Sequence, residues 1–245
     1  MAVRDMRQML RHAFALAALL LASGAASAAS ETGLKPFVAN YSITWHGMSA
    51  GTTQVKLERL PDGRWSYSSQ STARGLFRLA VPAELSSRSV FRIVDGKVLP
   101  ETFVAQDGEK NDDKDQNIVF DWSTGRARGV AEKKTVDLPI QPGVLDTLSV
   151  QVALMHALLG GRTPDRFVLL DKDRVKEYLY STQGKERVQT DVGTHDSVIF
   201  RSSRPTSKNG TYFWCAPELG YLPLKVERRE GKDVQWSMRL RSVER

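Results

Sequence analysis

Apolar and polar side chains alternate along most of this chain. The first clear run sets Phe37, Ala39, Tyr41, Ile43 and Trp45 against Val38, Asn40, Ser42, Thr44 and His46. A period of two marks a strand with one inward face. Residues 47–51 read as a turn, and Thr53, Val55 and Leu57 resume the alternation up to Leu60. Pro61-Asp62-Gly63 is a strong turn signal, and Trp65 and Tyr67 open a third strand. Residues 89–94 and 97–104 flank Asp95-Gly96, a two-residue hairpin turn. Further strands are expected at residues 118–122, within 126–138 as two short pieces, and at 167–170, 175–181, 198–201, 212–215 and 222–228. In the last strand Val234, Trp236, Met238 and Leu240 face one way and Gln235, Ser237, Arg239 and Arg241 the other.

One segment departs from this period. Leu145, Leu148, Val152, Met155 and Leu159 fall at helical spacing, with Pro142 placed to start a helix and Gly160-Gly161 to stop it. The expected fold is mainly β. A single curved antiparallel sheet forms a half-barrel or open barrel, with one central helix over residues 144–159 packed on its concave side. A sheet this long must curl to protect its edges, and a curled sheet can enclose an apolar cavity. Residues 106–116 are highly polar and read as a mobile loop.

The start of the chain carries different information. Arg4, Arg7 and Arg11 precede a short apolar run over residues 14–21, and Ala26-Ser27-Ala28 follows. This is the pattern of a secretory signal peptide, with cleavage expected after Ala28. The apolar run is shorter than the ~20 residues of a membrane span. Residues 1–28 are therefore read as a leader, and 29–245 as a single β-rich domain of the periplasm. The net charge is +7. Removing three arginines and one aspartate with the leader lowers it to +5, a balance that favours association with anionic surfaces. The basic residues are scattered, as on a solvated surface and not as in a nucleic-acid stripe.

Candidate chemistry is sparse. Cys215 is the single cysteine, so no intrachain disulfide forms, and it reads as a small buried hydrophobe. Gly47-Met48-Ser49-Ala50-Gly51 matches the G-x-S-x-G of serine hydrolases, with His195 downstream. That motif belongs between a strand and a helix, whereas here it falls between two amphipathic strands. His46, His156 and His195 are widely spaced, which gives no metal-ligand pattern. The acidic run Asp112-Asp113-Lys114-Asp115 lacks the Gly and Glu of a calcium loop, since Ile118 and Thr124 stand there. No cofactor motif is present. The aromatics Trp45, Trp65, Tyr67, Phe213, Trp214, Tyr221 and Trp236 lie on or beside strands. They suit either a packed core or the wall of an apolar ligand site.

Four sets of residues together resemble an exported bacterial family, domain of unknown function 3108. They are Tyr41 with Trp45, Gly47 and Gly51; Asp146-Thr147-Leu148-Ser149; Gly184, Glu186, Thr190 and Gly193; and Trp214, Pro217, Leu219, Leu222, Pro223 and Leu224. The resemblance runs from about Phe37 to the end. It implies a periplasmic β-rich domain and carries no enzymatic residues. The expected function is non-catalytic binding of an apolar or amphipathic envelope molecule, such as a lipid or a lipoprotein acyl chain. Trp45, Trp65, Tyr67 and Trp236 would line the cavity, and Leu148, Val152 and Met155 would plug or gate it. The alternatives are an envelope interaction or assembly factor with a filled core and a protein partner, and a hydrolase using Ser49.

Overall fold

A computed structural model of the chain describes residues 33–80, 83–109 and 113–245. The predicted leader lies outside them. The first half of the chain forms β1 (Phe37–Trp45), β2 (Met48–Arg59), β3 (Trp65–Ala73), a four-residue helix α1 (Phe77–Ala80), β4 (Leu85–Val94), β5 (Lys97–Gln106), β6 (Gln116–Asp121), β7 (Arg126–Ala131) and β8 (Lys134–Pro139). The second half forms β9 (Val144–Asp146), helix α2 (Ser149–Leu159), β10 (Arg166–Asp171), β11 (Arg174–Thr190) and β12 (Gly193–Ser203). It ends with β13 (Gly210–Ala216), a 3-10 turn at Pro217–Leu219, β14 (Leu222–Glu230) and β15 (Asp233–Glu244).

These strands make one sheet in the order β8-β7-β6-β5-β4-β3-β2-β1-β15-β14-β13-β12-β11-β10-β9. The first half is thus a meander of hairpins, as is the second from β10 onward, and the two join in the middle through β1 and β15. Neighbours are antiparallel except β9 and β10, which run parallel. The sheet is open: its end strands β8 and β9 do not pair with each other. Side chains bring its two ends together instead. β9 packs against β5, and the Ser89 hydroxyl of β4 donates to Asp146 Oδ2 of β9 at 2.6 Å. Lys134 and Asp173 pair at 2.9 Å between the β7–β8 and β10–β11 turns.

The core has two parts. The larger gathers Val152, Leu154, Met155 and Leu158 of α2 with residues of β1–β5 and β10–β15, including Phe37, Tyr41, Leu57, Phe91, Phe200 and Leu240. The smaller places Phe103, Ile118, Phe120 and Val136 of β5–β8 against Val144 and Leu170 of β9 and β10. Leu148 packs against both.

The helix is shorter than the spacing predicts. Leu145 and Leu148 fit a helical period, but Val144-Leu145-Asp146 is a fully buried strand. A short apolar run cannot be assigned by periodicity alone, and here parallel pairing to β10 decides it. The helix is also not one-sided. Eight of its eleven residues are buried, so it fills the hollow on nearly every side, as an all-round apolar helix must.

Candidate functional site

Burial along the inward face falls away toward one end of the strands. On β1, Phe37, Ala39 and Tyr41 are buried, Ile43 is half-buried, and Trp45 is 45% exposed. On β15, Leu240 is buried, Met238 and Trp236 are half-buried, and Val234 is exposed. On β13 and β14, buried Cys215 and Val226 give way to half-buried Phe213 and Arg228. The cross-strand register lines these residues up. Trp45 lies opposite Trp236 and Ile43 opposite Met238. Met238 lies opposite Val226 and Trp236 opposite Arg228, and Phe213 lies opposite Val226. The result is a mainly apolar inner wall, with Arg228 at its rim opposite Trp236, half open to solvent at the end formed by the β1–β2 and β14–β15 turns.

That end is sharpened by its connections. His46 and Gly47 both take positive φ, 45° and 82°, as a two-residue hairpin turn of the primed type requires. This sets Trp45 at the rim beside Met48. The connection from β3 to β4 emerges at the same end and carries Leu76 and Leu79, 83% and 84% exposed. A polar cluster marks the β10–β11 side. The Tyr178 hydroxyl donates to Asp171 Oδ2 at 2.7 Å, and Lys176 Nζ pairs with the same oxygen at 2.9 Å. Burial and the Asp171 carboxylate push the Tyr178 pKa up to about 12, against the pull of Arg204 and Arg228. Burial raises Asp171, but these two hydrogen bonds outweigh it and hold the carboxyl below its ordinary value.

The seven residues expected to line or gate a cavity therefore separate. Trp45 and Trp236 stand side by side at the mouth. Trp65, Tyr67, Val152 and Met155 are buried in the larger core, where Tyr67 meets Phe37 edge-on at 6.3 Å. Leu148 is half-buried at the junction of the two core parts. Ile43, Met238 and Phe213 join the tryptophans, and the alternation of their strands was the signal for them.

The motif Asp146-Thr147-Leu148-Ser149 has a structural task. Asp146 is fully buried. Its Oδ1 accepts the backbone N–H of Leu148 at 2.8 Å and of Ser149 at 2.7 Å, so it satisfies the open amides at the start of α2. Its other oxygen takes the Ser89 hydroxyl. Burial raises the pKa of this carboxyl against the lowering effect of those hydrogen bonds. On β11–β14, Trp214 Nε1 donates to Glu186 Oε2 at 2.6 Å, and Lys225 Nζ lies 4.2 Å from the centroid of its ring. Glu227 joins Lys225 and Arg229. Cys215 is buried, which pushes its thiol well up. Ser49 lies inside β2 opposite Thr44, not at a strand-to-helix turn. His195 contacts Glu218 and the Val192 carbonyl.

A mainly β chain with one open, mostly antiparallel sheet and a short helix packed in its core defines the class. The family model for the proteins of unknown function DUF3108 matches residues 40–233, and the chain belongs to that family. It is similar in fold to a β-barrel-like protein of domain of unknown function DUF1849 from Brucella abortus. The two share 13% identity and a TM-score of 0.57, over 85% of this chain and 97% of the other. The MucA/MucB complex structure from Pseudomonas aeruginosa also aligns, at 12% identity and a TM-score of 0.40, over 87% of this chain. The chain spans about half the length of that protein. No curated protein matches in sequence. Among the described residues, no helix is long and apolar enough to cross a membrane.

Proposed function

We propose that this is a non-catalytic periplasmic module, released from its leader after Ala28, that holds an amphipathic envelope molecule by its apolar chain. The observation that carries the reading is the Trp45–Trp236 pair on an inward face left half open. Buried apolar area stabilises a bound chain by about 25 cal/mol per Å², and the exposed Trp45 and half-buried Trp236 beside Ile43 and Met238 offer that area. The binding wall is the mouth and not the helix, which serves as the floor beneath it. No nucleophile is assigned to Ser49, whose place within a strand does not suit that role.

The test is native mass spectrometry of the mature protein, purified from the periplasm without detergent and then solvent-extracted. The expected result is an added mass that extracts as lipid. Trp236→Asp, half-buried and therefore tolerable to the fold, is expected to remove that mass while the circular dichroism spectrum is retained. A wild-type protein that is apo even after incubation with lipid vesicles would overturn the reading. The exposed Leu76 and Leu79 would then favour an interaction factor, to be sought by crosslinking to an envelope protein partner.

A further inference from the structure

A second hollow lies where the two ends of the sheet meet. It is bounded by the β4–β5 turn, the start of β9, helix α2, the connection after it and β10, and its volume is about 330 Å³. Ligand pockets range over ~300–1,000 Å³. At ~30 Å³ per water, this one has the bulk of roughly eleven waters, or of a medium-length alkyl chain.

Its construction explains why it exists. Ala153 and Ala157 are four residues apart and so share one face of α2. Their small side chains leave space that Val98 and Leu145 line from the other side. All four are buried, which makes the floor apolar. The rim is different. Lys97 comes from the β4–β5 turn, where β5 starts, and Arg162 from the connection after α2, both exposed, and Arg166 and His156 also line the hollow. Arg162 Nη2 donates to the Gly96 carbonyl at 3.1 Å, bridging the two sides. Arg166 is compensated by Glu177 and Asp165. Lys97 and Arg162 have no carboxylate partner among the described residues, and no acidic side chain lines the hollow.

An apolar floor under two uncompensated cations complements one kind of molecule. We infer that this junction is a separate binding site for a single-chain anionic amphiphile, its chain against Ala153 and Ala157 and its headgroup between Lys97 and Arg162. The site shares no residue with the mouth, so either can fail without the other. The headgroup chemistry is an anionic oxygen acid, which a fatty acid or a phosphate monoester both supply.

The experiment uses the mature protein and three probes: dodecanoate, dodecyl phosphate and the uncharged dodecyl maltoside. Calorimetric titration is expected to show binding of one or both anions, and the maltoside, whose chain the mouth can also take, is expected to protect residues 96–98 and 153–168 from photo-crosslinking at least about tenfold less well than the preferred anion. The preferred anion identifies the source. The exposed double variant Lys97→Glu with Arg162→Glu is expected to weaken anion binding at least about tenfold, while Lys185→Glu, a charge reversal on β11, leaves it unchanged. A diazirine-bearing dodecanoate is expected to crosslink to peptides covering residues 96–98 and 153–168. Labelling confined to residues 43–48 and 234–240, or equal affinity in the double variant, would overturn the inference. The first of those outcomes would leave the mouth reading intact.

Discussion

Asp146→Ala should destabilise the protein by about 3 kcal/mol or more. The carboxyl is fully buried and accepts three hydrogen bonds, from Ser89, Leu148 and Ser149. Truncation leaves these donors without a partner, and each buried orphan costs about 1–3 kcal/mol, though not additively. The loss also frees the start of α2 and the tie between β9 and β4, so two levels of structure weaken together. Urea unfolding monitored by circular dichroism measures the effect, and a loss below about 1 kcal/mol would show that the carboxyl is not the tie. Asp146→Asn keeps an acceptor for both amides and should cost far less.

The same pair of variants tests the charge. Burial raises the folded pKa of Asp146 above its unfolded value, so the folded state holds the proton more tightly. That contribution is fully present below about pH 4 and is lost as pH rises through the raised folded value. The stability difference between wild type and Asp146→Asn should therefore shift in favour of Asn as pH rises toward neutrality. A pH-independent difference would contradict the raised value.

Gly129→Ala should be comparably damaging, and for a steric reason. Gly129 sits in β7 with φ +149°, and an added Cβ would fall 1.9 Å from the backbone oxygen of Asn117 on β6. Backbone cannot yield as a flexible side chain does, so β6 and β7 must separate or distort. The expected cost is about 3 kcal/mol, concentrated in the β6–β8 end of the sheet. Trp122 reports on that end, because it stacks on Phe120 and its indole N–H donates to the Pro100 carbonyl at 2.6 Å. Its fluorescence should change before the rest of the sheet melts. A thermal midpoint within about 2 °C of wild type would refute the clash.

Most strands were legible because one face is buried and the other wet. β1, the Asp95-Gly96 hairpin and β15 announce themselves by alternation and turn chemistry. The second half of β11 does not. Residues 183–187 are polar and exposed, and their strand form comes from pairing to β12 across the irregularity near Gly184. β9 was hidden for the opposite reason, since its residues are buried throughout. The division of the tryptophans was also beyond a local reading. Trp65 and Trp45 both sit on alternating strands, and only the depth reached by α2 makes one core and the other rim. The hollow at the sheet ends draws on four separated segments, and no local pattern in any of them shows that they meet.

The pairing of β1 with β15 sets an order of events during folding. Asn40 and Ser242 are hydrogen-bonded partners 202 positions apart, whereas nearly every other strand pairs with its immediate successor in the chain. Each meander can form from short-range hairpins, but their union awaits the last strand. Closing so large a loop is entropically costly and slow. Until it happens the unpaired edge of β1 is a template for a strand from another molecule. The chain is thus most prone to mispairing just before its final strand arrives, and anything that shields β1 in that interval would act as its chaperone.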